Sequence, residues 1–187
     1  MPSPAASKAS IRTVLRRFRR NRRGSAAVEF ALVAPVFFAL LFAIIETALV
    51  FFAGQVLETI AQDSARMILT GQAQSDGYAL ADFKKNVVCN TSFANVLFDC
   101  TNGIYIDVKS YPPGSFASVT INNQIDSSNN FVSNNLQYSP GGRGDIVVVR
   151  LFYQWPLFVT GLGYNIANLS GSKRLLTAAA AFQNEPY

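Results

Sequence analysis

Histidine is absent from this chain of 187 residues, and tryptophan occurs once. Without an imidazole no Ser-His-Asp or Cys-His arrangement can form, which removes the commonest routes to nucleophilic hydrolysis. Metal sites lose a frequent ligand as well. The two cysteines, Cys89 and Cys100, stand eleven positions apart and not in the CxxC spacing of zinc sites. Neither a P-loop nor a Rossmann glycine pattern is present. Acids such as Asp107 and Asp145 are the remaining candidates for general acid–base work, but carboxylates scattered over strands and turns are ordinarily solvated. The expectation is a protein that is not an enzyme, with no catalytic residue, no metal site and no cofactor.

Acidic residues are also missing from the start of the chain: none precedes Glu29. Over the same stretch Lys8, Arg12, Arg16, Arg17, Arg19, Arg20, Arg22 and Arg23 supply eight of the sixteen basic residues. The formal charge of +5 therefore conceals a basic tail and a body with eight basic against eleven acidic residues. Such asymmetry points to a membrane address more than to a uniformly basic nucleic-acid binder. No aromatic platform or recognition motif accompanies the arginines, so no nucleic-acid partner is expected.

Next comes a long apolar run. Phe30 to Ala53, FALVAPVFFALLFAIIETALVFFA, holds twenty-four residues and one charge, Glu46. As a helix rising about 1.5 Å per residue it covers a hydrocarbon core of ~30 Å. The arginines before it belong on the cytoplasmic side by the positive-inside rule, which places the rest of the chain across the membrane. Membrane lipids are thus an expected partner. The run exceeds the apolar region of a cleaved secretory signal, and no convincing A-x-A site follows. Pro35 falls early in the helix, where it removes one backbone hydrogen bond, a loss that membrane helices tolerate. Glu46 lies about 24 Å along from Phe30. Two readings stand for it: a carboxylate reaching the outer headgroups, or an interhelical contact in an assembly.

Between the arginines and the run stands RRGSAAVEF, residues 22–30. A basic leader, then Gly24, four small or apolar residues from Ser25 to Val28, then Glu29 and Phe30 at the head of an apolar helix resembles the processing site of type IV prepilins and pseudopilins. The resemblance implies a cut by prepilin peptidase between Gly24 and Ser25, on the cytoplasmic side of the bacterial inner membrane. Glycine lets the backbone extend into a protease groove, and a glutamate in the first helical turn complements the helix dipole. In filaments of that class the carboxylate is thought to pair with the new ammonium of a neighbouring subunit, which implies an assembly role for Glu29.

The stretch RRGSAAVEFALVAPVFFALLFAIIETALVFFAGQVLETIAQDSARMILTGQ narrows the resemblance to the TadE-like family of tight-adherence (Tad, Flp-type) pilus proteins. In that family VEFAL, a nearby proline such as Pro35, an apolar run ending in a glutamate such as Glu46, and a polar helical continuation follow in this order. The ending RLLTAAAAFQNEPY also looks like the family's. The resemblance implies a minor pilin or pseudopilin with other pilins, the Tad inner-membrane assembly platform and prepilin peptidase as partners, in pilus biogenesis, secretion and adherence. The alternative is an uncleaved bitopic membrane protein whose periplasmic domain scaffolds that machinery. Incorporation into a surface pilus is compatible with the first reading.

Past the membrane, GQVLETIAQDSARMILTG places Val56, Ile60, Met67 and Ile68 on one helical stripe, with Gly71 as the stop. A short helix is expected in YALADFKKNVV, residues 78–88, from Leu80, Phe83 and Val87. IYIDVKSY (104–111) alternates as a half-buried strand, DIVVVRLFYQW (145–155) is a stronger strand, and KRLLTAAAAFQ (173–183) a third, on which the family resemblance outweighs the helix-friendly alanines. Between them SSNNFVSNNLQYSPGGRG reads as an exposed loop with at most one short pairing segment. Its RGD tripeptide, Arg143 to Asp145, has a sufficient reason as a glycine turn into the next strand. Cys89 and Cys100, an even pair on the exported side, suggest one disulfide.

The expected organisation is a leader over 1–24, a transmembrane helix over 25–53, its continuation over 54–71 and an exported head over 72–187. The fold class is α+β and pilin-like: a long N-terminal helix, membrane-spanning in its first half, then a small head with an antiparallel sheet of about three strands.

Overall fold

The computed structural model describes residues 24–90, 92–160 and 164–186. The arginine-rich leader up to Arg23 lies outside them. The chain divides into two compact units, Met1–Phe42 and Ala43–Tyr187. A single helix, α1 (Ser25–Leu69), supplies the regular structure of the first from Ser25 on and opens the second.

In the first unit the apolar side chains have no core to enter. Phe30 is 69% exposed and Leu32 72%, and Val33, Val36, Phe37 and Leu40 are open as well. Phe37, Phe38 and Phe42 touch one another along the helix, with ring centroids 5.5 and 6.3 Å apart. A helix that is apolar on all sides and that the other described residues leave unburied suits a lipid or an assembly interior, not water. Length and composition together fit a single-pass membrane protein. The helix continues through Pro35, whose missing N–H leaves the carbonyl of Ala31 without its usual partner one turn on.

In the second unit α1 becomes amphipathic. Val50, Ala53, Leu57, Ile60, Ala61, Ala65 and Ile68 are buried at spacings of three and four. Ile60 and Ile68 lie in the stripe as expected, while Val56 and Met67 sit at its margin, half-buried. Three alanines in the stripe keep the helix surface low. The same core takes in Ile104, Val108, Val149, Leu151 and Leu176 from the sheet. The helix stops at Gly71, whose φ of 75° lies in the left-handed region, and Gly71 N–H closes back onto Ile68 O at 3.0 Å.

Short helices follow: α2 (Gln72–Ser75), α3 (Leu80–Phe83), α4 (Ser92–Leu97) and α5 (Cys100–Gly103). α3 runs on as one π-type turn, Lys84–Val88, closed by Cys89 N–H to Lys84 O at 2.8 Å. The wider turn brings Phe83 and Val88 into the core, both fully buried, and leaves Val87 half-buried and Leu80 44% exposed. A 3.6-residue period could not anticipate that shift from Val87 to Val88.

The sheet has three antiparallel strands, β1 (Ile104–Tyr111), β2 (Ile146–Pro156) and β3 (Lys173–Gln183), in the order β1-β2-β3. Val108 pairs with Val149, and Val149 with Ala180. Central β2 is buried without a break from Ile146 to Phe152. The alternation in β1 forecasts a half-buried strand, and here the structure differs. Asp107, on the face opposite Ile106 and Val108, is 1% exposed. The Asn-rich segment covers that face: Phe131 stacks against Tyr105 and Phe152 at 4.7 and 5.8 Å, and Gln124 is buried. It pairs at two points where at most one was expected: Tyr138 forms a parallel bridge with Val108, and Phe131 an antiparallel bridge with Ile125. The α+β class and the three-stranded antiparallel head thus stand as expected, with both sheet faces covered.

Candidate functional site

The residues expected to mark a processing site lie where a 3-10 turn at Gly24 passes into α-helix. Gly24 is exposed and immediately precedes α1, which begins at Ser25. A Cβ built on Gly24 meets nothing within 4 Å, and its φ is outside the left-handed region. Among the described residues nothing therefore requires glycine at this position. Glu29 is exposed and is the fifth residue of the helix; the first turn holds no acid. The expected complement to the helix dipole is corrected accordingly, because that attraction fades beyond the first turn.

Glu46 is placed where neither sequence reading put it. Its carboxylate is 5% exposed and accepts hydrogen bonds from two backbone N–H groups, those of Phe158 and Val159, the latter at 3.1 and 3.2 Å. These donors lie on the loop that follows β2, more than a hundred residues away in sequence. The carboxylate does not reach out to headgroups. Beside it Thr47 Oγ1 donates to Ala43 O at 2.7 Å and meets the hydroxyl of Tyr164. The two contacts fasten this loop to α1. Phe158 itself points away and is 86% exposed. A groove of about 710 Å³ runs beside the contact, lined among others by Phe51, Glu58, Tyr164 and Arg174.

Cys89 and Cys100 form the expected disulfide, with Cα atoms 5.7 Å apart. It ties the end of the π-type turn to α5. The candidate acids do not converge on a site. Asp107 is locked to Arg150 and accepts from Gln137 N–H at 2.8 Å. Asp145 is half-buried and accepts from Gly142 N–H at 2.8 Å, so the acid of the RGD tripeptide closes its own glycine turn. Asn184 holds the same turn through Pro140 O and Gly142 O at 3.0 and 2.9 Å.

Sequence reasoning found the disulfide and the turn. It missed the Glu46 contact and the buried pair of Asp107 and Arg150. An acid in an apolar run signals that some partner exists, but backbone donors leave no mark in a sequence.

Among family models, that of the TadE-like proteins matches residues 24–66. The matched segment covers less than a quarter of the chain and holds Gly24, Glu29, Pro35 and Glu46 together. The likeness of the C-terminal stretch lies beyond it. No curated protein and no solved structure matches significantly.

Proposed function

From this TadE-like segment, which implies a role in Tad pilus assembly, we propose that the protein is a minor pilin or pseudopilin cut after Gly24 by a prepilin peptidase. The observation that carries the reading is the glycine itself. It stands in open space, with φ outside the left-handed region, in a 3-10 turn that immediately precedes α1. A protease must bind its substrate extended, and a residue the described fold does not need is explained by the enzyme that reads it. After the cut Ser25 becomes the amino terminus and Glu29 the fifth residue of the mature chain. Glu29 then sets register between subunits, a use for which a charge in an apolar interface is well suited.

The leader stays in the cytoplasm and the head lies on the periplasmic side of the inner membrane, as the arginines before the apolar run favour. Other pilins and the assembly platform are its partners. The protein acts by assembly and not by catalysis.

Intact mass and N-terminal sequencing of the protein from its native membrane, with and without prepilin peptidase, test the proposal. A chain starting at Ser25 only when the peptidase is present is the expected result. A leader retained under both conditions would make the protein an uncleaved bitopic scaffold.

A further inference from the structure

We propose that residues 157–160, directly after β2, form a membrane-embedded foot of the head, with Phe158 inserted into the outer-leaflet acyl boundary and Glu46 as its clasp. The inference rests on the reading of the apolar run as a membrane span, and its occupant is lipid.

Depth is the first argument. Glu46 sits inside the run, seven residues before its end at Ala53, or about 10 Å along the helix. A loop bonded to Glu46 is held at that level, below the point where the apolar sequence ends. Side chains of α1 around it are apolar and open: Ile45 is 46% exposed and Leu49 47%. Further along the groove the lining changes to Glu58 and Arg174, twelve residues beyond Glu46 in the case of Glu58. The polar boundary therefore falls above the foot.

Satisfaction of polar groups is the second. In water the N–H groups of Phe158 and Val159 would need no special acceptor. In hydrocarbon each unpaired backbone donor costs several kcal/mol, and a lone carboxylate is costlier still. Here the two problems cancel, since the carboxylate takes both donors. The hydroxyls of Thr47 and Tyr164 are matched in the same way. Of residues 157–160, Phe158 and Thr160 face outward, and Phe158 is more open than any other large apolar side chain among the described residues of the head. A carboxylate matched to both backbone donors and a phenyl ring turned outward suit a surface that meets lipid.

The test uses the full-length protein in lipid nanodiscs, spin-labelled singly at F158C, with L49C as a helix control and S118C as an exposed head control. The native cysteines are bonded to each other and do not react. Collision with oxygen, which partitions into lipid, is compared with collision with a water-soluble nickel chelate. F158C should resemble L49C, with an oxygen-to-nickel ratio about an order of magnitude above that of S118C. If F158C resembles S118C while L49C stays in lipid, the foot is wrong and the membrane span survives. If L49C is also wet, the span reading falls and the foot with it. Protection of F158C accompanied by dipolar broadening between labels assigns the surface to a second copy and overturns the lipid occupant. Adding E46A should move the F158C label toward water, and an unchanged depth would overturn the clasp.

Discussion

Arg150 and Asp107 stand opposite each other on adjacent strands, and the guanidinium reaches the carboxylate through Nη2 at 2.6 Å and Nε at 3.0 Å. Neither is more than 4% exposed. Nη1 donates to Asn122 O at 2.9 Å, and the guanidinium lies 5.2 Å from the centre of the Phe152 ring. The pair thus ties the sheet to the segment that covers it. Removing one partner strands the other charge, so Asp107→Ala should destabilise the head by about 3–5 kcal/mol. The double change Asp107→Leu with Arg150→Met should lose much less. Thermal unfolding of the detergent-solubilised protein, followed by circular dichroism, compares the two; equal losses would refute the account.

The disulfide closes a short loop between Cys89 and Cys100. Replacing both cysteines with serine should cost about 3 kcal/mol on the chain-entropy estimate. The measurement is the same melt with and without reductant. The wild type should lose stability on reduction, and the double serine variant should not respond.

At the amino terminus, Gly24→Leu should abolish processing without disturbing the head, because a side chain at this position has open space. Glu29→Ala should be processed nearly as well as the wild type and should lower pilus yield. Immunoblots for the two chain lengths, beside counts of pili, separate the effects. Normal trimming of the Gly24→Leu protein would move the cut elsewhere.

Burial pushes the Tyr138 hydroxyl up to about 12, from the ordinary tyrosine value of 10.0. Among the described residues its buried oxygen has no hydrogen-bond partner. The fold favours the neutral phenol, so this contribution is complete below pH 10 and is lost as pH rises toward 12. Denaturation between these limits should show a steeper fall for wild type than for Tyr138→Phe. The variant should be at least as stable at neutral pH, since it removes an unsatisfied buried oxygen.

Much of the architecture was legible because it is local. An unbroken apolar run and a glycine stop define α1, and alternation in IYIDVKSY and the apolar density of DIVVVRLFYQW define strands, whatever they pack against. The alanines of β3 are the exception, since propensity favoured a helix and pairing with β2 decided the matter. Asp107 was misplaced for a physical reason. Alternation shows that two faces differ, but cannot say whether a loop rich in asparagine will return to cover the polar one. Its anchors, Phe131 and Tyr138, belong to the few apolar residues of a polar stretch, a weak signal. Of the candidate site, the spacing of Gly24 and Glu29 before the apolar run is all that the sequence displays. The Glu46 contact was not, because its partners are main-chain atoms distant in sequence.

Glu185 N–H donates to Leu69 O at 3.0 Å, at the last residue of α1. Together with the contact at Glu46 it pins the second unit to its helix at two levels, twenty-three residues apart. A pull along the helix axis therefore meets both fastenings in shear and cannot peel the head away from one end.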